Sequence, residues 1–115
     1  LNLLEKAKEL GRELKKTEEY QELERTNQQM KEDPAAQQLI QDVQEAQQRL
    51  QFSQQSGIQP TQEQIADFNQ KRETLNTNIT VRALMKAQED FNSMMKQVND
   101  AITEGMQGED EAEQE

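Results

Sequence analysis

The residues with most scope for chemistry in this chain of 115 are its carboxylates. Glu18, Glu19, Glu22 and Glu24 crowd one segment, and Glu5, Glu9 and Glu13 recur along another. Helical bundles do host di-iron centres, but those use inward-turned Glu-x-x-His motifs. This sequence has no histidine, and its glutamates fall off the apolar stripes, so a solvated face is expected and no metal site. Ser53, Ser56 and Ser93 have no imidazole to activate them. Gly11, Gly57, Gly105 and Gly108 are isolated, which rules out a glycine-rich loop around phosphate. Without cysteine there is no disulfide, thiolate metal site or iron–sulfur ligation. Asn78-Ile79-Thr80 spells a glycosylation acceptor, a pattern with no meaning in a cytoplasmic protein. The expectation is no catalytic residue, no cofactor and no enzyme.

Charge narrows the partners. A net charge of −10 disfavours nucleic acid and anionic membrane, whose phosphates would be repelled. Lys8, Arg12, Lys15 and Lys16 make a short basic strip, but it lacks the interleaved aromatics of an RNA-binding surface. Ion pairing is its expected role, through Glu5–Lys8, Glu9–Arg12 and Glu13–Lys16 at i,i+3 spacing. No apolar run is long enough to span a bilayer and no signal-peptide core is present, so the cytoplasm is the expected location. The sequence opens on Leu1 rather than Met, from which a missing natural start is expected.

These residues have to be held by helices. The longest periodic stretch runs from Ile79 to Met106, with Val81, Leu84, Met85, Gln88, Phe91, Met95, Val98 and Ile102 at alternating three- and four-residue steps. A helix of that length extends about 40 Å and would serve as a spine for shorter ones. Leu3, Leu4, Ala7, Leu10 and Leu14 define a first helix. Its phase breaks at Thr17, read as the cap of a second helix with Glu18 and Glu19 in the first turn. Asp33-Pro34 ends that helix and starts a third, with Ala36, Leu39, Ile40, Val43, Ala46 and Leu50 on its apolar face and Gly57 as its stop. Thr61 and Gln64 form a capping box for a fourth helix carrying Ile65, Phe68, Arg72 and Leu75. Leu75–Thr80 reads as a polar hinge, with Asn78 or Thr80 capping the spine; if Thr80 caps, Ile79 and Leu84 make a hydrophobic staple.

The predicted fold is all-α with about five helices. Two long amphipathic ones, about 34–56 and 80–105, pack with shorter ones in a folded-back array. Residues 1–106 form a single helical domain, and the basic-free segment 107–115 an acidic disordered tail. Three Phe, one Tyr and no Trp give a thin core, so self-association is expected to cover leftover apolar surface. Met85 and Met95 are expected to fill core gaps beside Phe91. Met94 widens the stripe, and the face of Ala87, Phe91, Met94 and Val98 is the candidate contact with a second subunit or partner.

The order of these signals resembles the YlbF/YmcA family of small helical bacterial proteins, most closely its YheA-like branch. The resemblance is carried by Thr17-Glu18-Glu19-Tyr20, Asp33-Pro34-Ala35-Ala36 with Leu39, Val43–Leu50 running to Ser56-Gly57, and Leu84-Met85-Lys86-Ala87-Gln88-Glu89. It implies about five helices, self-association and a cytoplasmic regulatory role. Its better-studied relatives act in complexes affecting competence, sporulation, biofilm formation and RNA processing. Some of them carry cysteines associated with an iron–sulfur cluster; this chain has none.

The reading is therefore a non-enzymatic interaction protein, a homo-oligomer and most simply a homodimer, docking to a regulatory complex. A structural or chaperone-like coiled coil is the rival, set back by the phase breaks at Thr17, Pro34 and Gly57. An RNA-binding adaptor comes third.

Overall fold

The structure, a computed structural model, describes residues 2–114, with side chains described for 2–108. Five helices follow one another: α1 (Leu3–Lys15), α2 (Glu18–Lys31), α3 (Pro34–Gln55), α4 (Gln62–Thr77) and α5 (Ile79–Gln114). All regular structure among the described residues is helical, as the apolar periodicity requires.

The helix boundaries follow from local hydrogen-bonding chemistry. Asn2, whose role the periodicity did not reveal, accepts the Glu5 N–H at 2.9 Å and starts α1. Thr17 serves two helices: its hydroxyl donates to the Leu14 carbonyl at 2.6 Å and accepts the Tyr20 N–H at 3.2 Å. One side chain thereby satisfies the end of α1 and the beginning of α2. Asp33 caps α3 by accepting the Ala36 N–H at 3.0 Å, with Pro34 in the first turn. At the far end of α3, Gly57 takes φ +75° and donates to the Gln54 carbonyl at 3.2 Å, while Ile58 donates to that of Ser53 at 2.9 Å. This paired arrangement is a Schellman stop, and its left-handed residue favours glycine. The capping box forms in both directions, Thr61 N–H to Gln64 at 3.0 Å and Gln64 N–H to Thr61 at 3.1 Å.

Two helix ends differ from expectation, and the choice left open between Asn78 and Thr80 is decided. Helix α4 continues to Thr77, so the region read as a hinge narrows to one residue. That residue is Asn78: its N–H donates to the Leu75 carbonyl at 3.2 Å and its side chain accepts the Val81 N–H at 3.0 Å. Thr80 is therefore not the cap, and the staple that depended on it does not form, since Ile79 stays 85% exposed. Helix α5 is assigned past the expected stop near Gly105, through Gln114. The acidic tail expected over 107–115 falls on Glu115 and on side chains from Glu109 onward that lie outside the described set.

Backbone contacts gather the chain into two compact units, Leu1–Glu24 with Lys86–Glu115, and Arg25–Met85. The body expected over 1–106 is thus described in two parts. In the Arg25–Met85 unit, Met30, Ala36 and Val81 are buried together, and Ile40, Leu75 and Leu84 pack against them. Helices α3 and α4 fold back on each other through a short loop. Ala36 and Ile40 near the start of α3 share this cluster with Leu75 near the end of α4. Phe52 and Gln64, at the opposite ends, line one depression, so the two helices run antiparallel.

The corner between α2 and α3 is held from a distance. The second carboxylate oxygen of Asp33 accepts the Thr80 hydroxyl at 2.7 Å, across 47 residues of chain. The Gln37 amide donates to the Met30 and Lys31 carbonyls at 2.8 and 3.2 Å, satisfying the end of α2. The Thr80 hydroxyl and the Ala36 N–H hold the Asp33 carboxyl below its ordinary value, because both hydrogen bonds favour the ionised form.

Candidate interaction faces

The groups that could carry chemistry are spread out rather than gathered. Among the described residues, no set of three or more histidine, cysteine, aspartate or glutamate side chains is placed to hold one metal ion. Ser56 and Ser93 are exposed and Ser53 is half-buried. Thr26 is fully buried, and no buried side-chain nitrogen or oxygen among the described residues lacks a hydrogen-bond partner. Nor does any described helix have the length and apolarity to cross a membrane.

The expected contact face lies on α5 and is partly closed. Ala87 is 2% exposed, while Phe91, Met94 and Val98 are half-buried. The Phe91 ring meets Tyr20 of α2 with centroids 6.2 Å apart and planes at 59°. Such a tilted pair adds about 1 kcal/mol beyond its buried area. Tyr20 and Phe91 are far apart in sequence, so periodicity within single helices carried no sign of their contact. The Tyr20 phenol donates to the Glu24 carboxylate, and that bond together with the negative charge raises its pKa above 10.0.

The methionine assignment divides. Met95 is half-buried, as a gap-filler would be. Met85 is 52% exposed, which overturns its placement in the core. The inward side of α5 is turned toward Ala87 and Met94, and Met85 falls beyond its edge. Alanine contributes little to a hydrophobicity count yet permits close packing, which is why the stripe read from large residues alone came out rotated.

The most open apolar surface lies on α1. Leu3 is 80% exposed and Leu4 70%, Leu10 is exposed, and no residue of the helix is buried. Beside them, Lys6, Glu9, Leu10, Arg12, Glu13, Lys15, Lys16 and Gln21 line an open groove of about 820 Å³ along α1 and the start of α2. Of the expected ion pairs on α1, Glu13–Lys16 closes at 3.5 Å, in solvent, where such a contact stabilises little.

A second open surface lies near the end of α5. Ile102 and Met106, one turn apart, are both exposed. From Gln97 onward the chain holds Asp100, Glu104, Glu109, Asp110, Glu111, Glu113 and Glu115 and no basic residue. In α1 the balance is reversed, with Lys6, Lys8, Arg12 and Lys15 against Glu5, Glu9 and Glu13. The spacing of Leu3, Leu4, Ala7 and Leu10 was legible as an apolar face; its exposure among the described residues was not.

Comparison with known proteins gives a consistent picture. A family model described as "Control of competence regulator ComK, YlbF/YmcA" matches residues 3–107. A UPF0342 protein of Limosilactobacillus reuteri is 31% identical over 107 residues, covering 93% of this chain and 87% of that protein. A UPF0342 protein of Lactiplantibacillus plantarum is 27% identical, with 93% and 94% covered. One from Oceanobacillus iheyensis is 24% identical, with 92% and 91% covered. No solved structure is significantly similar. An iron–sulfur cluster of the kind held by cysteine thiolates does not fit this chain, which has no cysteine to ligate it.

Proposed function

The chain belongs to the YlbF/YmcA family, and on that premise we propose that it is a non-enzymatic regulatory protein of the cytoplasm that acts by contact. In this reading it self-associates and docks to a protein complex controlling competence, the process named in the family description. The observation that carries the reading is α1: a helix with an apolar face of Leu3, Leu4 and Leu10 and no buried residue. A soluble chain gains nothing from ordering leucines at helical spacing toward water, so such a face supports a role in association. The scattered, solvent-facing acids and the unactivated serines support action without bond chemistry.

Deleting the gene in the organism of origin should change expression of competence genes. The wild-type copy should restore it, while a Leu4→Glu, Leu10→Glu variant with unchanged helicity should not. Equal restoration by both, or no change on deletion, would overturn the reading.

A further inference from the structure

We draw no further inference here: the strongest candidate, the exposed apolar patch of Phe52, Ile58 and Ile65 at the loop end of the α3–α4 hairpin, carries nothing because nothing in the structure shows what covers it.

Discussion

The corner around Asp33 and the N-terminal helix α1 are written in the same kind of pattern, a polar cap followed by apolar residues at helical spacing, and they reach opposite environments. At the corner, Ala36 is fully buried, Met30 and Val81 are nearly so, and Asp33 is bonded to both Ala36 and Thr80. On α1, the cap forms equally well through Asn2, yet Leu3 and Leu4 remain in solvent. Local signals therefore decide that a helix forms and which side is apolar. Whether that side is covered depends on what the rest of the chain, or another chain, brings to it.

The comparison breaks most readily at Met30. Met30→Ala should lose about 2–4 kcal/mol of stability in urea unfolding, because it opens a cavity that Ala36 and Val81 cannot fill. A loss as small as that of a surface substitution would mean that the cluster is not the centre of its unit.

Thr80→Val sharpens the same side with a smaller effect, about 1–2 kcal/mol, by removing the hydroxyl that donates to the Asp33 carboxylate. The pH dependence carries a sign. The Asp33 carboxyl is held below 3.8 in the folded state, so its stabilisation is present above that value and disappears as pH falls through the folded-state pKa. In Thr80→Val, the Asp33 carboxyl should titrate at higher pH by NMR, and acid unfolding should begin at higher pH. An unmoved titration would show that the Ala36 N–H alone holds the group.

The smallest effect belongs to α1. Leu3→Ala and Leu4→Ala should change stability in urea unfolding by less than about 0.5 kcal/mol, as exposed positions do. A larger loss there would mean that these leucines are packed within the chain, and the contrast with the corner would collapse.

Much of the fold was legible in advance because it is local. Thr17, Asp33, Thr61 with Gln64, and Gly57 act within a few residues of themselves, and all five are found in the expected roles. The choice between Asn78 and Thr80 was open because both stand where a cap would serve; Thr80 is instead engaged by Asp33, far along the chain. Ala87 shows the limit for burial, since a methyl group leaves a faint mark in hydrophobic periodicity however deeply it sits. The contact face anticipated at Ala87, Phe91, Met94 and Val98 was read from one helix alone, so neither the closure of Ala87 nor the Tyr20 ring against Phe91 was visible in it.

The sequence by itself determined that this protein is helical, where α2, α3 and α4 start, and that its many acids and few serines lack imidazole or thiolate company. Only the tertiary structure decided that Thr80 ties down Asp33, that Met85 faces outward, and that Leu3, Leu4 and Leu10 of α1 are left exposed. The physical reason is range: capping and periodicity are settled among residues a turn or two apart, whereas burial is settled by which distant surfaces meet.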